Sequence, residues 1–294
     1  MDRRNAVEGS NGGARLVLLG AVGLMAGFAS SFLGIGGGLV IVPGLMIGLG
    51  YPIKRAVGIS VVSVVLVSLV GVVAELVVKG ANIHWRTAVV LTVGSLIGTT
   101  LGGRLLRRLP DAPLRWLFAG SLLVTAGRML LSTCAGDGSG GLALSSTSAL
   151  GTAIAVPVGM LAGISSTLFG IGGGIITVPC LALFFQDFGF HAARATSLAT
   201  ILPTSAFAAY QHERMGTVDF AIVRCLVPPA LLGAVLGVVA VNFLAAGSAR
   251  VFFAAFVALA ALRVLTLTPK PTAPASGRRV RQAAPSLLQA AARH

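Results

Sequence analysis

The stretch GFASSFLGIGGGLVIVP, residues 27–43, returns as GISSTLFGIGGGIITVP at residues 163–179, 136 positions later. Gly27, Ser30, Gly34, Ile35, Gly36, Gly37, Gly38, Val42 and Pro43 recur as Gly163, Ser166, Gly170, Ile171, Gly172, Gly173, Gly174, Val178 and Pro179. Each copy interrupts an apolar run with three consecutive glycines and a following proline, residues that disfavour an unbroken helix. Two interrupted apolar segments at matching positions of two halves are the sequence sign of a transporter substrate site.

The rest of the chain agrees with a polytopic membrane protein. Apolar residues make up 55%, charged residues 10%, and the mean hydropathy is +0.93. A soluble domain carries about 25% charged residues. The net charge of +14 does not indicate nucleic-acid binding. Its basic residues fall in short loops and tails between apolar runs, as orientation in a membrane requires. Cys134, Cys180 and Cys225 stand alone, without CxxC pairs or histidines at ligand spacing. Neither a zinc site nor a disulfide framework is indicated, and no cofactor is expected.

Apolar segments fall at 16–33, 36–50, 56–78, 87–103 and 114–131, and again at 149–169, 171–186, 195–212, 220–244 and 250–268. The fold class expected is all-α and polytopic: two inverted-topology repeats with 8–10 transmembrane segments, some Gly-broken or re-entrant. Residues 1–15 form an N-terminal tail, 16–131 the first membrane repeat and 149–268 the second. The Gly/Ser-rich stretch 132–148 reads as a flexible linker, and 269–294 as a basic C-terminal tail. The first two segments of each half either span fully or form a re-entrant hairpin. An odd number of crossings per half inverts the second half in either case. With the N-terminus inside, the inside segments hold fifteen Lys and Arg against five outside, Arg194 among the five. That bias places both termini in the cytoplasm. Gly98–Gly102 and Gly233–Gly237 repeat a small-xxx-small pattern that reads as close helix packing.

Backbone polar groups freed by the glycines must line a cavity or meet another segment, since hydrocarbon offers no partners. Helix N-termini at such breaks carry partial positive charge and bare N–H donors. A small anion suits that geometry. The substrate-binding candidates are Gly34, Gly36, Gly37, Gly38, Pro43, Gly170, Gly172, Gly173, Gly174 and Pro179, with Ser30, Ser166, Thr167 and Thr177 as hydroxyl donors. The competing reading makes the glycines pure packing residues.

Arg55-Ala56 and Arg194-Ala195 follow the broken segments of the two halves. They either draw anions into each vestibule or anchor the topology. Arg224 sits early in an apolar segment, where it meets a substrate anion or snorkels to the interface. Glu75 is the one acid inside an apolar segment; a buried acid there would relay protons. His84 and His212 fall in or beside loops and read as interfacial.

The doubled GxGGGxxxVP-type motif, the basic residue plus Ala after the second segment and the Gly-rich later helices resemble the TauE/SafE sulfite exporter family over about residues 16–268. The resemblance implies a bacterial inner-membrane permease for sulfite, an organosulfonate or a related sulfur-containing or carboxylate anion. The expected partners are that small anion and the lipid bilayer, not nucleic acid; a homo-oligomer is compatible with the sequence. An enzyme is not expected, because HExxH, GxSxG, paired acids and metal-spaced histidines are all absent from the sequence. A non-transporting scaffold subunit is the other alternative, and it leaves the doubled motif unexplained.

Overall fold

A computed structural model describes residues 3–79, 83–108, 145–146, 148–185 and 187–243, with isolated positions 120, 127 and 255. Among them are eight helices and an all-helical architecture. They are α1 (Arg3–Leu33), α2 (Gly38–Leu49), α3 (Ile53–Lys79), α4 (Trp85–Arg108), α5 (Ala149–Phe169), α6 (Gly174–Phe184), α7 (Phe190–Arg214) and α8 (Phe220–Asn242). The apolar segments expected at 114–131 and 250–268 lie outside the described residues. Five helices (α1 from Arg15, α3 to Val77, α4, α5 and α8) are long and apolar enough to cross a bilayer. Leu24, Met25, Val89, Val93, Leu161 and Leu232 point outward from them. Such an apolar exterior suits lipid rather than water, and the chain is a multi-pass membrane protein.

The first two helices form a hairpin. Val22 of α1 packs on Gly44 of α2, and Leu18 packs on Gly48, so α2 returns to the end where α1 begins. In the second half Phe185, just after α6, lies against Gly151 near the start of α5. In each half the second helix folds back antiparallel along the first, with a long first helix (Arg15–Leu33 and Ala149–Phe169) and a short second one. The prolines do not break the chain. Pro43 and Pro179 sit inside α2 and α6, and the interruption is confined to the glycines before each helix. Membrane helices accept interior prolines when neighbours satisfy the freed carbonyl.

Close packing is paid out in glycine. Gly23 and Gly27 of α1 face the carbonyls of Leu226 and Ala230 on α8, while Gly233 and Gly237 of α8 face those of Leu24 and Phe28. The same exchange joins the other pair: Gly159 and Gly163 of α5 face the carbonyls of Leu91 and Ser95, and Gly94 and Gly98 of α4 face those of Val156 and Met160. A methyl group at any of these positions would overlap backbone. In lipid, where burial of apolar surface gives no drive to association, such backbone approach supplies the contact energy. Each half thus lends its first helix to the last described helix of the other.

Helices α3 and α7 run antiparallel through the middle. Gly58 of α3 meets Thr217 beyond the end of α7, and Gly71 meets Leu198 near its start. Helix α7 is the most polar inside: Arg194, Thr196, Ser197, Thr200, Thr204, Ser205 and His212 are all buried. The end of the expected linker is tied down. Ser148 caps α5 through Gly151 N–H, and Asp187 accepts from the Ser146 N–H at 2.6 Å and the Ser145 hydroxyl at 3.1 Å. The Ser146 N–H holds the Asp187 carboxyl below the ordinary aspartate range.

Candidate functional site

The repeated motif builds two loops. Gly34 ends α1 with φ of 73°, and Gly36 and Gly37 follow at 86° and 69° before α2 begins. Gly170, Gly172 and Gly173 repeat this at 71°, 78° and 85°. Only glycine takes that left-handed region without strain, and it does so here three times in four residues. The loops then interlock. A side chain at Gly38 would fall on the Gly170 carbonyl, one at Gly174 on the Gly34 carbonyl, and one at Gly36 on the Ile171 carbonyl. In this conformation each loop's space is filled by the other loop, so close packing accounts for these glycines directly.

Two serines hold the loops. Ser197 of α7 donates to the Gly34 carbonyl at 2.9 Å, and Ser60 of α3 donates to the Gly170 carbonyl at 2.8 Å. Beside them, Gly34 rests on the Cα of Arg194, and Gly170 rests on the Cα of Val57. The counterpart of Arg194 is therefore Val57. The expected match of Arg55 with Arg194 is corrected: Arg55 is exposed at the start of α3, whereas Arg194 is fully buried. Arg194 also leaves the set of outside loop residues, because it lies inside α7.

The guanidinium of Arg194 reaches across to the first half. One terminal nitrogen donates to the Ser31 carbonyl at 2.6 Å, and the other forms an ion pair with Glu75 on α3. Both side chains are wholly buried. Among the described residues, Arg194 Nε and Glu75 Oε1 have no hydrogen-bond partner, and neither have the buried hydroxyls of Ser30, Ser31 and Ser166. Buried polar groups are ordinarily bonded, so the spare Nε and Oε1 on the ion pair itself, with the Ser31 hydroxyl on the residue whose carbonyl Arg194 holds, stand out chemically. A guanidinium presents parallel N–H donors that match oxyanion geometry.

The remaining candidates separate cleanly. Thr167 donates to the Gly163 carbonyl at 3.1 Å and Thr177 to the Gly173 carbonyl at 3.2 Å, so both hydroxyls are occupied within their own helices. Arg224 is exposed one turn into α8, the snorkelling position, and does not join the site. His212 departs from the interfacial expectation: it is buried, with Nε2 3.0 Å from the Thr167 carbonyl and Nδ1 2.9 Å from the Thr217 hydroxyl. His84 does lie in a connection, its ring 4.3 Å from that of Phe188. Sequence reasoning missed Ser60 and Ser197, and it did not pair Glu75 with Arg194. The available signal was that a lone acid in an apolar segment requires a lone base.

The polytopic helix bundle thus holds two interlocked glycine loops with a buried cation beside one of them. The family comparison gives its class, a membrane transporter. Residues 2–152 and 154–292 match the model described as "Sulfite exporter TauE/SafE", and the chain belongs to that family. It is 29% identical over 243 residues to the "Probable membrane transporter protein YunE" of Bacillus subtilis, covering 75% of this chain and 86% of that one. A "Probable membrane transporter protein" of Methanocaldococcus jannaschii is 31% identical over 176 residues, 57% of this chain and 62% of its own. One from Xylella fastidiosa is 28% identical over 228 residues, 76% and 83% respectively. No solved structure gives a significant match.

Proposed function

We propose that the protein is a permease for a small anion, sulfite, an organosulfonate or a related sulfur-containing or carboxylate anion, in a bacterial cytoplasmic membrane. The observation that carries this reading is Arg194: a wholly buried guanidinium at the Gly34 loop, bonded to the Ser31 carbonyl, whose Nε, like the Ser30 and Ser31 hydroxyls on α1, has no partner among the described residues. An intramembrane cation of this kind is expensive to bury and marks a substrate pathway.

The two halves act as inverted-topology repeats under this reading. The reciprocal contacts of α1 with α8 and of α4 with α5 support it, as do hairpins that enter from opposite ends. Alternating access then parts the interlocked glycine loops and closes them again, moving one repeat against the other. Both termini lie in the cytoplasm.

The test is sulfite uptake into proteoliposomes under an imposed voltage, with sulfoacetate, sulfate and lactate as competitors. Saturable, competitor-sensitive flux is expected. Folded protein that gives no flux above empty vesicles for any of these anions would overturn the reading. A reporter fused to the C-terminus should be cytoplasmic; a periplasmic signal would overturn the orientation.

A further inference from the structure

We infer that Glu75 is a proton-binding site coupled to the anion: the substrate replaces the Glu75 carboxylate on Arg194, and Glu75 takes up a proton as it is displaced. The inference rests on the permease reading and specifies what drives it.

The argument is one of charge conservation in a dry site. Arg194 and Glu75 are both wholly buried, and among the described residues each is the other's sole charged partner. Together they are neutral. A buried pair of this kind is tolerated because each charge compensates the other, and an uncompensated one is strongly penalised. A monoanion that binds the guanidinium brings a second negative charge to a single cation. The site stays neutral only if the carboxylate becomes an acid. One proton therefore passes from water to Glu75, the ion pair between Glu75 and Arg194 breaks, and an ion pair between Arg194 and the substrate forms. No other bond changes.

The geometry allows the exchange. Glu75 contributes one oxygen to Arg194 and keeps Oε1 unpartnered, and a protonated carboxyl needs such a free oxygen. On Arg194, Nε is unpartnered while the Ser31 carbonyl fixes the far nitrogen, so the guanidinium stays in place when its acid partner leaves. Glu75 lies one turn from the end of α3 at Lys79, close to where the helix meets water.

The charges around Glu75 are few. On α7 there is Arg194, with His191 one turn before it. His84 lies in the connection after α3, Arg86 in the first turn of α4, and Lys79 at the end of α3 itself. Helix α1 holds no titratable side chain beyond Arg15, and α2 and α5 hold none. On α8, Asp219 caps the opposite end and Arg224 and Cys225 lie in the first turns there. Asp187 lies at the same end, in the exposed turn before α7 beside His84, where it accepts from the Ser146 N–H and the Ser145 hydroxyl; among the described residues Glu75 is the one buried acid.

Coupling is measured in proteoliposomes of the full chain, with the voltage clamped at zero and labelled methanesulfonate as the probe. Its single sulfonate stays ionised near neutral pH, so it is a monoanion that carries no proton of its own. A pH gradient of one unit, acidic outside, should accumulate methanesulfonate about tenfold, and methanesulfonate entry should acidify the lumen one proton per molecule. Glu75→Gln should remove both the accumulation and the lumen signal and leave any remaining exchange insensitive to pH. Glu75→Asp keeps a titrating group and should retain the accumulation. Wild-type flux with no proton movement overturns the inference and leaves the permease intact. Accumulation by folded Glu75→Gln equal to wild type also overturns it. Failure of the wild type to move either methanesulfonate or sulfite overturns the permease reading and the coupling with it.

Discussion

The two halves share a frame and differ in what they put on it. Ser60 and Ser197 hold the two glycine loops in the same way. Three positions before them stand Val57 and Arg194, and fifteen positions after them stand Glu75 and His212. The carbonyls of Ser31 and Thr167, matched within the repeated motif, both accept from a buried side chain. In one place that donor is Arg194 of α7, in the other His212 of α7. One end thus holds a neutral ion pair with spare hydrogen-bonding capacity on both members. The other holds an imidazole with both nitrogens engaged, and a valine stands in the arginine's place at its loop. The backbone treats the halves as equals, while the side chains place the buried ion pair in one of them, and the proposed anion site goes with it.

The most damaging way to break that asymmetry is to remove its cation. Arg194→Ala should abolish sulfite uptake and should strip the buried Glu75 of its ion-pair partner, a loss of about 3–5 kcal/mol. Thermal unfolding in detergent measures the second effect and vesicle flux the first. The double change Arg194→Val, Glu75→Leu gives the site the apolar character of the Val57 end. It should recover most of the lost stability, since apolar replacement of a buried pair is often neutral or favourable, yet remain inactive. A double variant that transports sulfite would show that the ion pair only supports the fold.

The glycine loops offer a finer contrast. A methyl at Gly36 would strike the Ile171 backbone, whereas one at Gly172 would meet the Ile201 and Val64 side chains at 2.7 and 3.0 Å. Side chains can turn aside and a carbonyl held in a loop cannot. Gly36→Ala should therefore cost more than Gly172→Ala. Each begins from about 1–2 kcal/mol for the left-handed backbone alone. Leucine at either position should abolish transport. Unfolding midpoints for the two alanine variants rank them directly, and equal values would mean that the loops yield as freely as side chains do.

Much of this frame was legible because glycine and hydropathy act locally. The doubled motif, the helix spans and the small-xxx-small pattern all follow from rules that operate within a few turns. What stayed hidden depends on which surfaces meet. Arg55 and Arg194 look alike in sequence because each precedes an alanine, but the loop contacts match Arg194 to Val57. His212 sits four residues before a turn and reads as interfacial until the Thr167 carbonyl is placed above it. Ser60 and Ser197 carry no local signal at all, because a serine in an apolar helix looks the same whether it bonds its own turn or a loop 110 residues away. The prolines misled in the opposite direction: their local rule disfavours a helix, and the membrane bundle overrides it.

The serine pair sharpens the comparison at smaller scale. Ser60→Ala and Ser197→Ala each remove one donor to a loop carbonyl, so each should cost about 1 kcal/mol. If the loops are equivalent as structure and unequal as chemistry, the two stability losses should agree while only Ser197→Ala, next to Arg194, changes the apparent affinity for sulfite. Uptake at several sulfite concentrations separates the two readouts.

The mildest effect belongs to the turn that joins α6 to α7. The Ser146 N–H lowers the Asp187 carboxyl below its ordinary range, so the unfolded chain binds that proton more readily than the folded one. The stability this supplies is present above the unfolded aspartate value and is lost as pH falls through the lower folded value. Asp187 is exposed, which limits its contribution, and Asp187→Asn should lower the unfolding midpoint slightly at neutral pH and not at all in acid. The turn lies just before Arg194, so the same variant asks whether the α6–α7 connection must be held for the site to work. Unchanged sulfite flux in Asp187→Asn would confine the functional asymmetry to the buried residues of α3 and α7, where the ion pair already places it.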